Sequence, residues 1–278
     1  MILDDIVEST KKRIAKEKRE ISFVEYRRSA EEIMKREEKL RREGVRSVPT
    51  TMEEVLGKEG IHLICEVKKA SPSKGIIAKD FDYISIAKEY EAAGAAAISV
   101  LTEPNFFLGD LLYLEEIRNE VHIPLLRKDF IIDEYQIYQA KAKGASCVLL
   151  ICSILSEEKI KHFVQMCEEV GISALVEIHD EKEAEGALKA KAKIVGVNNR
   201  NLRDFTVDID HSLKLRSYIP RNVLFVAESG IKSSSDIRKL YDANVNGVLI
   251  GETMMLSKDK TAKLQELLQE IPNGEGGQ

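Results

Sequence analysis

The chain has no tryptophan, four cysteines, and no apolar run near the roughly 20 residues that a membrane helix needs. The missing tryptophan leaves a low intrinsic fluorescence background. Cys65, Cys147, Cys152 and Cys167 form no Cys-x-x-Cys pair, and three of them fall in apolar runs, so they read as small buried hydrophobes rather than a metal site or a disulfide framework. The five histidines show no metal-ligand spacing, and no metal is expected. Lys and Arg number 42 against 47 Asp and Glu, which leaves no basic excess for nucleic acid. The first residues, Met1 to Asp5, show no basic segment followed by an apolar one, so no signal peptide is expected. These absences predict a soluble, cytoplasmic protein without membrane or nucleic-acid partners.

What is present falls into two parts. Residues 1–50 are rich in Lys, Arg and Glu, with apolar positions at helical spacing. They predict two helices, about 3–19 and 23–43, with Gly44 ending the second and the charges forming a solvated face. Ser47 to Thr51 reads as a linker and 52–57 as a helical turn. From residue 61, short β-branched runs alternate with stretches of helical period. Strands are expected at 62–68, 96–101, 124–129, 147–152, 173–177, 194–198, 223–228 and 247–250. Helices are expected near 82–93, 110–119, 133–143, 156–170, 180–190, 208–217, 233–243 and 258–271. Gly94, Gly144 and Gly171 suit helix C-termini, and Ser156, Asp180, Asp208 and Ser233 suit N-caps.

Eight nearly all-apolar strands that alternate with helices imply a parallel sheet covered on both faces. A doubly wound open sheet would usually carry a Gly-x-Gly-x-x-Gly loop after its first strand, and none follows Lys68. The predicted fold is therefore α/β, a (β/α)8 TIM barrel over residues 51–272, with a helical extension at 1–50 and a flexible tail at 273–278.

Charge falls where these strands run out. Glu66 and Lys68, one pleat apart on the same face, end the first strand. Lys128 ends the third, Glu177 the fifth, Asn198 with Arg200 the sixth, and Glu228 the seventh. Active sites of this barrel class lie at that end. A partly buried Glu there tends toward a raised pKa, suited to base chemistry near neutral pH. Spacing alone does not separate Lys68 from Lys128 as the acid. The loops after strands seven and eight, Glu228 to Ile231 (ESGI) and Ile250 to Thr253 (IGET), place glycines where backbone amides approach an anion. With Arg200, Lys68 and Ser71 they point to a phosphorylated small molecule.

Several stretches resemble the signatures of the indole-3-glycerol phosphate synthases. They are Glu66–Gly75 (EVKKASPSKG), Ile98–Pro104 (ISVLTEP) with Phe107–Gly109 (FLG), Leu126–Phe130 (LRKDF) and Leu175–Ile178 (LVEI). Gly196–Leu202 (GVNNRNL), Ala227–Ile231 (AESGI) and Leu249–Glu252 (LIGE) complete the set. The resemblance implies a cofactor-free carbon–carbon lyase of tryptophan biosynthesis. Its substrate would be 1-(2-carboxyphenylamino)-1-deoxyribulose 5-phosphate.

The same resemblance implies residue roles. Lys128 matches the general acid and Glu177 the base of dehydration. Glu66 and Lys68 match the pair that orients the substrate carboxylate and hydroxyls. Asn198 and Glu228 match residues that hold the sugar hydroxyls and position the lysines. Ser71, Ser229, Gly230 and Gly251 match the phosphate site, Phe130, Leu149 and Leu202 the walls around the anthranilate ring, and Arg200 a basic residue near the substrate. Asp110 and Glu252 depart from the pattern, each where a Ser is found in other members. Glu252 is expected to point away from the phosphate, and Lys69 and Lys74 to serve the loop after the first strand. The alternatives are a phosphoribosylanthranilate isomerase-like enzyme, whose acid–base pair is a Cys and an Asp, with Cys65 on the first strand but no Asp answering it at the expected strand end, and a silent phosphate-binding scaffold. Oligomeric state, monomer or dimer, is not readable.

Overall fold

A computed structural model describes residues 2–44, 50–201 and 205–272. Its centre is a closed barrel of eight parallel strands: β1 (His62–Val67), β2 (Ala97–Leu101), β3 (Leu125–Lys128), β4 (Cys147–Ile151), β5 (Ser173–Ile178), β6 (Ile194–Asn198), β7 (Leu224–Glu228) and β8 (Gly247–Ile250). Neighbours in sequence pair in space, and β1 closes on β8 with Ile64 opposite Leu249. The strands are four to six residues long and almost wholly buried, as parallel strands flanked by helices must be. The expected barrel is the observed one.

The helices between strands begin where a side chain can accept the free N–H groups of a first turn. Asp82 caps α4 (Tyr83–Ala92), Asp110 α5 (Leu111–Glu120), Asp133 α6 (Glu134–Ala142), Ser156 α7 (Glu157–Glu169) and Asp180 α8 (Glu181–Lys189). Asp110 accepts from the Leu112 N–H at 2.9 Å, so the departure from Ser leaves a working cap. Asp208 is not the cap expected of it. α9 (Asp210–Arg216) starts two residues later, after Ile209, and the Asp208 carboxylate accepts from the Asp210 N–H instead. Ser233 caps α10 (Ser234–Asp242), and Asp259 caps the closing helix. That chain end holds a helix without a counterpart in the sequence expectations, α11 (Glu252–Leu256), before α12 (Lys260–Leu268). Five residues are too few to display a helical period. A two-residue antiparallel hairpin, Ala70–Ser71 with Gly75–Ile76, is likewise too short to show a period in the sequence.

Three helices precede the barrel. α1 (Ile2–Glu20) crosses the loops that follow β2 and β3: Asn105 donates to Ser9, Arg13 to Asp129, and Lys18 pairs with Asp133. α2 (Phe23–Arg42) opens on a capping box between Ser22 and Glu25 and lies along α6, with Tyr26 edge-on to Tyr135 at 5.3 Å. α3 (Met52–Leu56) plugs the N-terminal end of the barrel with Met52 and Leu56. The expected tail at 273–278 and residues 47–49 of the expected linker lie outside the described residues. Among the described residues no helix is long and apolar enough to cross a membrane.

Candidate active site

Strand alternation builds the site. Ile64, Leu126, Leu175, Val226 and Leu249 fill the barrel interior. Residues two positions further along share their face, so Glu66, Lys128, Glu177, Glu228 and Gly251 emerge at the C-terminal mouth. Asn198 follows Gly196 in the same way. Together with Lys68, Ser71, Arg200, Ser229, Gly230, Phe130 and Leu149 they line one cavity of about 420 Å³. Leu202 lies outside the described residues; every other site residue expected from sequence is in this wall. A larger groove of about 800 Å³ sits at the other end of the barrel, between α2 and the starts of β5 and β6. Its walls mix surface Lys and Glu with Met34, Val164, Ile172 and Ala174, and carry none of the strand-end groups.

The charged groups at the mouth are coupled. Lys128 donates to Glu228 at 3.0 Å, and Lys68 donates to Glu66. Burial disfavours the Lys128 ammonium, but Glu228, Glu177 and Glu66 outweigh it and hold the lysine protonated beyond its ordinary range. Glu66 is held below the carboxylate range: burial opposes its charge, yet Lys68, Lys128 and Arg200 more than offset that. Glu177 goes the other way. Burial, joined by repulsion from Glu228, pushes it up to about 7, even with Lys128 near and Asn198 donating at 3.4 Å. One mouth therefore holds a firmly charged cation and a carboxyl poised at neutrality, which is the separation that acid–base chemistry asks for.

Two further regions complete the cavity. An apolar lobe is formed by Phe107 and Phe130, with ring centroids 6.1 Å apart, beside Leu149, Ile151 and the α1 side chains Ile2, Leu3 and Ile6. The opposite corner carries Ser71, Ser229, Gly230 and Gly251. Ser229 has φ 67° and Gly230 φ 85°, and the turn is held by Asn199, which donates to the Ser229 carbonyl at 3.1 Å. A side chain at Gly251 would collide with the Glu66 and Lys68 head groups, so only glycine leaves that pair in place. Glu252, expected to point away, is in the cavity wall and pairs with Lys74 at 3.1 Å.

Some residues that shape the site were not singled out by the sequence reading. Asp129, one residue past Lys128, points out of the barrel and is buried. Its carboxylate accepts from Arg13 at 2.7 Å, Thr102 at 2.6 Å, Arg127 at 3.0 Å and the Phe130 N–H at 2.8 Å. Buried Glu103 accepts three backbone N–H groups, from Asn105, Phe106 and Phe107, and so shapes the loop that carries Phe107. Gly196 makes room for Glu228: a methyl group there would lie 2.6 Å from Glu228 Oε1. The signals were the polar residue directly after Lys128 and the glycine within the sixth strand. Cys65, which the isomerase alternative would need, packs among the outer core residues between strands and helices, its thiol pushed up to about 12 by burial. Among the described residues, no three His, Cys, Asp or Glu side chains are grouped to hold a metal ion.

The chain is similar to known proteins over nearly its whole length. The profile of the indole-3-glycerol phosphate synthase family matches residues 3–267. The indole-3-glycerol phosphate synthase of Lachnoclostridium phytofermentans is 52% identical over 267 residues, covering 96% of this chain and 98% of the relative. That of Endomicrobium trichonymphae is also 52% identical, over 96% of this chain and 99% of its own. Among solved structures, 3-hexulose-6-phosphate synthase from Salmonella typhimurium superposes with a TM-score of 0.62 at 14% identity, over 75% of this chain and 97% of that one, a likeness of fold alone. This chain belongs to the indole-3-glycerol phosphate synthase family.

Proposed function

We propose that the chain converts 1-(2-carboxyphenylamino)-1-deoxyribulose 5-phosphate to indole-3-glycerol phosphate, with Lys128 as acid and Glu177 as base. In ring closure the aromatic carbon attacks the ribulose carbonyl, and oxygen gathers negative charge. Lys128, charged and directed by Glu228, protonates that oxygen. Carbon dioxide leaves as the ring recovers aromaticity, and dehydration then needs a base within reach of the proton it removes. Glu177, titrating near neutrality, supplies it. Glu66 and Lys68 orient the substrate carboxylate and hydroxyls, while Asn198 holds a sugar hydroxyl beside Glu177. Phe130, Leu149 and Phe107 enclose the anthranilate ring. Ser71, Ser229, Gly230 and Gly251 receive the phosphate. Arg200, on the cavity wall and electrostatically coupled to Glu66, adds positive charge toward the substrate.

The observation that carries this reading is the pairing of a stably charged lysine with a carboxyl raised to about 7 in a single mouth. Glu177→Gln tests it. The variant is expected to lose about 10²–10⁴ in kcat, the usual worth of a positioned acid–base group. The wild-type rate should rise with pH through about 7 as Glu177 deprotonates, and that limb should be absent from the residual rate of the variant. A stability effect follows with a definite sign. Between the ordinary carboxylate range and about 7 the folded state keeps a proton that the unfolded chain releases, so stability falls as pH rises through this window. Glu177→Gln removes that slope. Full activity in the variant would contradict the assignment.

The reading also gives α1 a part in binding. Ile6 is buried against Phe130, Leu149 and Ile151 and lines the cavity. Ile6→Ala is expected to raise KM about tenfold while kcat changes little, as loss of uniform binding does. An unchanged KM would remove α1 from the site.

A further inference from the structure

The phosphate corner holds a charge that does not belong beside an anion. Glu252 directly follows Gly251 and stands in the cavity wall with its side chain about two-fifths exposed. A phosphate dianion on the neighbouring loop amides would face this carboxylate across a short gap, and like charges repel there. The structure also supplies a counter-charge. Lys74, at the turn of the Ala70–Ser71 and Gly75–Ile76 hairpin, reaches from the loop after β1 to place its ammonium 3.1 Å from Glu252. The same loop contributes Ser71, Pro72 and Ser73 to the cavity. The Lys74 side chain is about half exposed and has no other ion-pair or hydrogen-bond partner among the described residues, so it can leave Glu252 without abandoning a second contact.

We propose that Lys74 and Glu252 form an exchange pair that sets the affinity of the site for the substrate phosphate. Before phosphate arrives, Glu252 holds Lys74. An arriving dianion takes the ammonium, since a charge-assisted contact to phosphate is stronger than one to a single, solvent-washed carboxylate. The hairpin follows its lysine onto the phosphate. Glu252 then stands as a competitor that recaptures Lys74 when the product leaves, so the pair limits how tightly phosphate is held. This inference rests on reading the Ser71, Ser229, Gly230 and Gly251 corner as the phosphate site.

Calorimetric titration of the full chain with inorganic phosphate tests it, using wild type, Lys74→Gln, Glu252→Gln and the double variant. Both positions are on the surface, and matched melting curves exclude a folding effect. Glu252→Gln is expected to bind phosphate about fivefold more tightly, because competitor and repulsion are both gone. Lys74→Gln is expected to weaken binding about threefold in the wild-type background and about tenfold in the Glu252→Gln background, where no exchange partner offsets the loss. A purely structural ion pair does not produce that non-additivity. Unchanged affinity in Glu252→Gln, or an equal Lys74→Gln effect in both backgrounds, overturns the exchange. Absence of binding by wild type, with substrate turnover intact, overturns the phosphate corner and the exchange with it. Absence of turnover with phosphate binding intact counts against the proposed reaction alone.

Discussion

Asp129→Asn is expected to destabilise the fold by about 3–5 kcal/mol, the usual cost of removing one partner from a buried ion pair. The carboxylate is fully enclosed and accepts from four donors. Amide substitution leaves Arg13 and Arg127 facing each other without their shared anion, and it puts an N–H group where a donor already points. For a chain of this size the loss corresponds to a fall of about 10 °C in Tm. The sign with pH is fixed. Burial opposes the Asp129 charge, but Arg13 and Arg127 hold its pKa well below the carboxylate range. The carboxylate therefore contributes its full stability above the unfolded-state pKa and loses it as pH falls toward its own. Melting curves of wild type and variant at neutral and acidic pH should converge as the pH is lowered. The effect should also reach function, because Arg13 ties α1 to the residue next to Lys128, and Phe130 is fixed by the same carboxylate. Equal melting temperatures at neutral pH would show that the cluster does not hold the fold.

The second large effect is on chemistry. Lys128→Met keeps much of the side-chain volume and removes the proton, and it is expected to lower kcat by about 10³-fold or more. Removal of the ammonium also changes its neighbours. Lys128 is the cation that lowers Glu177 and donates to Glu228 at 3.0 Å, so without it three acidic side chains share the mouth. The acid limb of any residual rate should therefore move to higher pH than in wild type. A variant with reduced kcat and an unmoved limb would separate Lys128 from Glu177 electrostatically, against the coupling described above. A variant with wild-type kcat would require Lys68 to be the acid.

Much of this was legible in the chain itself. The barrel could be read because eight short apolar strands, each followed by a capped helix, leave few other ways to cover both faces of a parallel sheet. The mouth could be read because a strand face has period two: a charge placed two residues past an interior Leu, Ile or Val must emerge at the barrel end. Glu66, Lys128, Glu177 and Glu228 all obey that rule. The Asp129 cluster was not legible, since it joins α1 to β3 across 116 residues, and no local pattern announces Arg13 as its partner. The α11 helix and the hairpin were too short to show a period. Glu252 was read from repulsion alone and expected to turn away. Lys74, 178 residues distant in sequence, neutralises it in place.

The most direct test of the central claim uses the absence of tryptophan. The purified wild-type chain, with no metal or cofactor added, is mixed with 1-(2-carboxyphenylamino)-1-deoxyribulose 5-phosphate, and indole fluorescence is followed over the low protein background. The expected result is a rise in emission that accounts for the substrate consumed and is slowed about 10³-fold or more in Lys128→Met. No indole emission from folded wild type, with the substrate recovered intact, would contradict the account.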